Sequence, residues 1–207
     1  MKKGVIAGGN FITDHVKIID RLPHREGLGN ILSETSRNGG SAYNLLKDLA
    51  SMQAEFSLFA IGCVGNDTDG KEIIHDCLKH GINTSKLLAV EGATTSYTDV
   101  MTEQGSGQRN FYHYRGANSL LGEQHFDFEG VEGAIFHLGY LLLLDALDQT
   151  DEDGQTGAAR VLAKASAAGL LTSVDLVSEA SDRFASIVPP ALPFTDYLFL
   201  NEYEAAQ

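Results

Sequence analysis

This 207-residue sequence predicts an α/β fold, a mostly parallel sheet with helices on both faces. Three observations point there. Short apolar runs alternate with stretches of helical spacing, joined by short connections. Two segments, 11–36 and 94–115, break the alternation with β patterns of their own. An apolar run, Tyr197 to Leu200, leads into Asn201-Glu202-Tyr203-Glu204, and open α/β sheets bind ligands outside the carboxyl ends of their strands.

Taken in order, the expected core strands are Val5–Ala7, Phe56–Ile61, Ala134–His137, Leu171–Val174 and Tyr197–Leu200. Ala42, Leu45, Leu46 and Leu49 recur at helical spacing after Gly39-Gly40. Ile73, Ile74, Cys77 and Leu78 do the same between Asp69 and Gly81, and Ala158, Val161, Leu162 and Ala165 mark a third helix. Within segment 11–36 the apolar stretches are Val16–Ile19 and Ile31-Leu32. Segment 94–115 reads as strands Thr95–Met101 and Arg109–Tyr114 around Gln104-Gly105-Ser106-Gly107, a hairpin turn. Together they predict a small sheet beside the main one. No internal repeat, low-complexity tract or interdomain linker interrupts the chain, so one α/β domain over 1–207 is expected.

Composition excludes several classes. A formal charge of −13 with no clustered Lys/Arg face argues against nucleic acid and anionic membrane as partners. Any phosphate must then be met by backbone N–H groups, helix N-termini and metal rather than by a basic cradle. Lys2-Lys3 precedes an apolar run too short for a signal peptide, and Gly8-Gly9-Asn10 and Asp14 break it. The run Ala134–Leu147 is interrupted by His137 and falls well short of the roughly 20 residues of a membrane span. Cys63 and Cys77 lack metal spacing, and two thiols suggest a reducing compartment, the cytoplasm.

Gly65-Asn66-Asp67-Thr68-Asp69-Gly70-Lys71 matches the first seven positions of a P-loop, but Glu72 stands where Ser or Thr would bind magnesium. A helix start explains the same residues better, with Asp69 as N-cap, Glu72 three residues on, Lys79-His80 in the last turn and Gly81 as stop. Gly8-Gly9-Asn10 lacks the third glycine of a dinucleotide finger, so a nicotinamide-dependent oxidoreductase is disfavoured. Asp14 follows that strand exit, where a carboxylate can accept from two sugar hydroxyls; a solvated loop acid is the bland reading. Gly39-Gly40 opens the first helix where a ligand can touch backbone, and Asn44 sits one turn further in.

Asp175 and Asn201/Glu204 each follow a strand, so neighbouring parallel strands would bring acids to one edge as a magnesium-water shell. Helix capping by Asn201 with Glu204 at the third position explains their spacing equally well, but not Asp175. Arg115 is balanced between a sugar contact and a surface ion pair. His15, His24, His113 and His137 pair with no other ligand residue at helical spacing and read as packed or solvated.

In this order, the Gly-Gly helix with Asn44, the phrase Ile61-Gly62-Cys63-Val64-Gly65-Asn66-Asp67, His113 to Asn118 and Asn201-x-x-Glu204 resemble the ribokinase-like (PfkB) carbohydrate kinases over the whole chain. The resemblance implies a three-layer α/β/α fold in which segments 11–36 and 94–115 form a lid over the sugar. It implies ATP-dependent phosphorylation of a sugar hydroxyl, with ATP and magnesium as cofactors and a homodimer through the lid. Asp14, Gly39, Gly40, Asn44, Arg115 and Asn118 would bind sugar, Asn201 and Glu204 nucleotide, and Asp175 and Glu204 metal.

Two departures bear on the sugar. Ser41-Ala42-Tyr43 replaces ribokinase's Lys-Gly-Ala, and Glu179 stands where 2-keto-3-deoxygluconate kinases carry a second Arg. In the family the catalytic base is an Asp after a Gly-Ala-Gly anion hole. These residues contain no such motif, so the chain is expected to be the front part of a sugar kinase, without its C-terminal part. The competing reading is a non-catalytic sugar-binding or assembly module.

Overall fold

The computed structural model describes residues 3–207; Met1 and Lys2, the latter half of the Lys2-Lys3 pair, lie outside the described residues. Six parallel strands form the central sheet: β1 (Val5–Gly9), β4 (Leu58–Gly65), β5 (Asn83–Val90), β8 (Ile135–Leu141), β9 (Leu171–Leu176) and β10 (Tyr197–Phe199). Their order is β10-β9-β8-β1-β4-β5. β1 lies inside this sheet and is buried along its whole length, which is why it reads as a continuous apolar run.

Successive side chains on a strand face opposite ways, and the core divides accordingly. Val5 and Ala7 pack with Leu58, Ala60 and Val64 against helices α1 (Ser41–Ser51) and α2 (Thr68–Lys79). Ile6, Ile61, Phe136, Leu138 and Val174 face the other way, against α3 (Gly157–Ala167) and α4 (Phe184–Ile187). The result is the three-layer arrangement anticipated from the alternating pattern.

The second sheet has four strands in the order β3-β2-β6-β7, from β2 (Ile12–Ile19), β3 (Ile31–Gly39), β6 (Tyr97–Glu103) and β7 (Arg109–Tyr114). Two antiparallel hairpins, β2–β3 and β6–β7, join through a parallel β2–β6 pair. The interlock brings together segments separated by the whole of α1, β4, α2 and β5. On the face turned from the main domain, Lys17 bridges to Asp99 and lies 3.3 Å from Glu34, while Tyr97 stacks on Tyr114.

Several local expectations shift. β4 starts at Leu58 because Phe56 is part of the exposed approach, and β6 starts at Tyr97. β5 was not among the expected strands: it is an edge strand whose first half, Asn83-Thr84-Ser85-Lys86, is polar, while Leu87–Val90 is apolar. β10 is exposed along its length and forms the opposite edge instead of core, and it stops at Phe199. The N-cap of α2 is Asp67, which accepts from the Gly70 N–H at 2.9 Å; Asp69 lies inside the first turn.

Asp67 also accepts from the Thr95 N–H at 2.7 Å and its hydroxyl at 2.5 Å, anchoring the base of β6 to α2. A Cβ on Gly70 would collide with the Gly65 carbonyl. The P-loop-like heptad is therefore folded onto itself and leaves no cradle for phosphate.

Candidate functional site

A cleft of about 1180 Å³ separates the second sheet from the carboxyl edge of the first. Its roof follows from strand alternation: Ile12, Asp14, Val16 and Ile18 of β2, Thr98, Val100 and Thr102 of β6, and Arg109, Phe111 and His113 of β7 share one face. The floor carries Asn44 of α1 and Tyr140, Asp175, Asn201 and Glu204 from the strand exits.

Asp14 is in register with Thr98, and Thr98 with His113, so the three make a row across three strands. Burial raises the Asp14 carboxyl, while a hydrogen bond from Thr98 and the nearby His15 oppose the rise. Thr98 Oγ1 lies 3.0 Å from His113 Nδ1. A hydroxyl donating to Asp14 has its oxygen left to accept, so His113 carries its proton on Nδ1. Burial, then the Arg115 charge, push the His113 imidazole down to about 4. Below pH 6.5 the unfolded chain thus takes up a proton that the folded chain refuses until about pH 4. That uptake lowers stability on acidification by at most about 1.4 kcal/mol per pH unit. His113→Gln should flatten this loss in melts between pH 6.5 and 4.5; an unchanged slope would assign the loss elsewhere.

The glycine pair has a definite use. A Cβ on Gly39 would strike the Asp14 carboxylate, so glycine lets that acid lie against the backbone. Gly40 sits at φ 97, a left-handed conformation, and caps α1 with no side chain. Asn44, one turn on, is exposed toward the cleft.

At the strand exits, Asp175 accepts from the Ser41 hydroxyl at 2.6 Å and from the Tyr140 N–H at 2.7 Å. His137 Nε2 lies 3.1 Å from the Ser41 oxygen, and its Nδ1 lies 3.0 Å from Ser173. This buried chain ties α1 to β8 and β9. Burial raises Asp175, with His137, Ser41 and Tyr140 opposing, and lowers His137, with Asp175 opposing. Register places Phe199 of β10 beside Asp175 of β9, so the two exits are neighbours. Beyond them Asn201 and Glu204 form a reciprocal capping box on α5 (Glu202–Ala205), both bonds at 2.9 Å, with Ser178 donating to Glu204 at 2.8 Å.

This pair therefore caps a helix and also lines the cleft. Asp175 and Glu204 both accept protein hydrogen bonds, yet a carboxylate has about four acceptor sites, so each keeps capacity to accept from the water shell of a hydrated magnesium. Among the described residues, no group of three His, Cys, Asp or Glu could hold a metal ion.

Two further placements change the sequence reading. Arg115 lines the cleft but is ion-paired, to Glu179 and to Asp145 at 3.2 Å. Asn118 is fully buried and outside the cleft lining. Its amide donates to Asn10 at 3.0 Å and to the Phe11 carbonyl at 3.2 Å, bracing the start of β2, and so it has no donor for sugar.

Sequence reasoning missed Tyr140 and Arg183. Tyr140 sits at φ 60 and Leu142 at φ 80, both left-handed, in a run that reads as plain strand. Such conformations cost about 1–3 kcal/mol and collect at functional sites. Here the turn is held by Asp175 on the Tyr140 N–H and by Asp148 on the Leu142 and Leu144 N–H groups. Burial raises the Tyr140 hydroxyl, and the charges of Asp175, Asp14 and Glu204 add to the rise, so the acids converge on one cleft. Arg183 has no motif: it pairs with Glu179 four residues earlier, and folding adds the distant Leu142 carbonyl and Asp148.

Residues 5–207 match the family model for the pfkB family carbohydrate kinases. The ATP-dependent ribose-1-phosphate kinase of Halopiger xanaduensis is 27% identical over 202 residues, 98% of this chain and 62% of that protein. Ribokinase from Giardia lamblia superimposes with a TM-score of 0.76 at 22% identity, covering 99% of this chain and 59% of that one. Arabidopsis thaliana ribokinase, solved with ribose and ATP, gives 0.72 at 19% identity, covering 100% and 62%. The chain therefore spans 62% of the curated relative it matches. With almost its whole length matched, this chain belongs to the pfkB family of carbohydrate kinases.

Proposed function

We propose that this chain supplies the sugar site, the lid and part of the nucleotide-facing edge of a kinase that transfers phosphate from ATP to a sugar hydroxyl. The observation that carries this reading is a single cleft with Asp14 and Asn44 on its walls, Asn201 and Glu204 at the strand exits, and one face of the second sheet as roof. The relative's name, ATP-dependent ribose-1-phosphate kinase, and a neighbour solved with ribose and ATP support the same reaction class.

Asp14 accepts from sugar hydroxyls, the Gly39-Gly40 backbone lets the sugar approach, and Asn44 offers its amide. The apolar roof residues Val16, Val100 and Phe111 keep water from the transferring phosphate, which limits ATP hydrolysis. Phosphoryl transfer is mainly positioning and charge stabilisation, which suits a chain whose contribution is binding geometry. Asn201 and Glu204 face the nucleotide. Magnesium, if bound with the nucleotide, would neutralise charge on the phosphates, and Asp175 and Glu204 would hold its water shell. The buried free thiols Cys63 and Cys77 and the absence, among the described residues, of a helix able to span a membrane support a cytoplasmic setting. The exposed strands β3 and β7, the edges of the roof, are the surfaces through which two copies would pair.

An ADP-release screen of the full-length protein over a panel of sugars tests the activity. No sugar-dependent ADP from any member would leave a binding module as the reading. Asp14→Ala in the full-length protein should weaken sugar use roughly ten- to a hundredfold in kcat/KM, the value of a charged hydrogen bond of about 1.5–3 kcal/mol. ATP affinity should hold. Glu204→Ala should show the reverse, with the deficit in nucleotide binding. Unchanged sugar kinetics in Asp14→Ala would remove the sugar site drawn around β2. For the pairing, sedimentation equilibrium reading a monomer at micromolar concentration would remove the homodimer.

A further inference from the structure

β8 departs from regular strand geometry at one place. Leu138 pairs with Val174 and Leu141 with Leu176, so Gly139 and Tyr140 together stand opposite the single residue Asp175. That is a β-bulge, which adds one residue to a strand and re-aims a side chain. Its effect shows in the core. Phe136 and Leu138 enter the core against α3 by alternation, and the next to do so is Leu141, where an unbulged strand would have sent Tyr140. Tyr140 is turned out to line the cleft instead.

The bulge is strained and is held from outside. Tyr140 sits at φ 60, a conformation that glycine adopts freely and a bulky side chain resists. The Asp175 carboxylate accepts its N–H at 2.7 Å and fixes that conformation. The residue before it is glycine for a different reason: a Cβ on Gly139 would meet the Ser41 side chain at 2.6 Å. A tyrosine thus occupies a position whose backbone favours glycine, and strain of this kind collects where a side chain has a use.

The Tyr140 ring is half-buried, and its hydroxyl has no protein hydrogen-bond partner among the described residues. The charges of Asp175, Asp14 and Glu204 all act on that hydroxyl, which lies between the Asp14 end of the cleft and the strand exits. Of the other floor donors, the Asn201 amide is spent on Ser178 and Glu204, at 2.8 and 3.0 Å, which leaves only Asn44. Ionised acids accept and cannot donate. A sugar oxygen that gives its proton to Asp14 keeps lone pairs to be met, and Tyr140 brings a free O–H into the same cleft.

We infer that Tyr140 is a specificity-determining residue whose hydroxyl donates to an oxygen of the bound sugar. The inference rests on the sugar-kinase reading of the cleft and adds a contact to it.

The test uses the full-length protein with its Tyr140→Phe, Tyr140→Gly and Tyr140→Ala variants, in a coupled ADP assay over a panel that includes D-ribose, D-fructose and D-glucose. Tyr140→Phe keeps the ring and should raise KM about tenfold for each sugar that wild type accepts, with KM for ATP unchanged. Melting curves give a second readout. Tyr140→Gly should melt above Tyr140→Ala, the reverse of the usual order, because both lose the ring but only glycine relieves the left-handed backbone. A sugar KM in Tyr140→Phe within twofold of wild type overturns the inference and leaves the kinase reading intact. So does a deficit that falls on ATP instead, or an alanine variant that melts above the glycine one. Should Tyr140→Phe not fold, the sugar KM of Tyr140→Gly decides by the same criterion. No sugar-dependent ADP from wild type with any sugar of the panel overturns both readings together.

Discussion

The 207-residue polypeptide purified by itself is expected to release no ADP above the sugar-free background, whichever sugar is offered. Transfer to a hydroxyl needs a group that takes its proton, and removing a positioned general base costs about 10² to 10⁴ in rate. The sequence contains no Gly-Ala-Gly-Asp, the motif in which the family resemblance locates that base. The cleft's own acids are engaged elsewhere. Asp175 is the most suggestive of them, since burial raises its carboxyl, but its two oxygens accept from Ser41 and from the Tyr140 N–H. Glu204 is held by Asn201 and Ser178, and Asp14 is the proposed sugar contact. A coupled ADP assay at high enzyme concentration, set beside the full-length protein, checks this. Sugar-dependent turnover by the 207-residue polypeptide within tenfold of the full-length protein would mean that one of these acids is the base after all.

Phe136→Ala should cost about 3–5 kcal/mol of stability, a large part of the margin a domain possesses. Phe136 is fully buried on β8, beside β1 inside the central sheet. Its ring meets the edges of Phe126 at 5.8 Å and Phe128 at 4.9 Å, so the deletion removes both the ring's burial and two aromatic contacts. Neighbouring backbone is sheet on one side and α3 packing on the other, which restricts collapse into the void. For a chain of this size the melting temperature should fall on the order of 10 °C. The site should suffer too, because the next residue, His137, bonds to Ser41 and Ser173. Urea titration measures the loss, and a value under about 1 kcal/mol would show that the core repacks around the missing ring.

Strands legible in the sequence were those with one physical situation, burial on both faces. β1, β4, β8 and β9 are lined by apolar residues because helices cover each side of a parallel sheet. β5 escaped because an edge strand can carry polar residues toward water, and β10, though apolar, pairs only with β9 within these 207 residues. The N-cap of α2 fell on Asp67 in place of Asp69, since Thr95, distant in sequence, supplies donors that reward the earlier carboxylate. No local pattern records that partner.

By itself the sequence determined the layered α/β class, the two β insertions, the Gly39-Gly40 opening of α1 and the Asn201-Glu204 box, all set by propensity and spacing within a few residues. Tertiary structure alone decided the chemistry that depends on distant partners. Register across β2, β6 and β7 aligned Asp14, Thr98 and His113, and the sheet order brought Asp175 within reach of Ser41 and His137. The long connection after β8 delivered Asp145 and Asp148, and the segment after β9 brought Glu179 to Arg115. Asn118 passed from expected ligand contact to buried brace for the same reason. Charge and hydrogen-bond partners act over a few ångströms of space, and only the folded backbone sets which residues share that space.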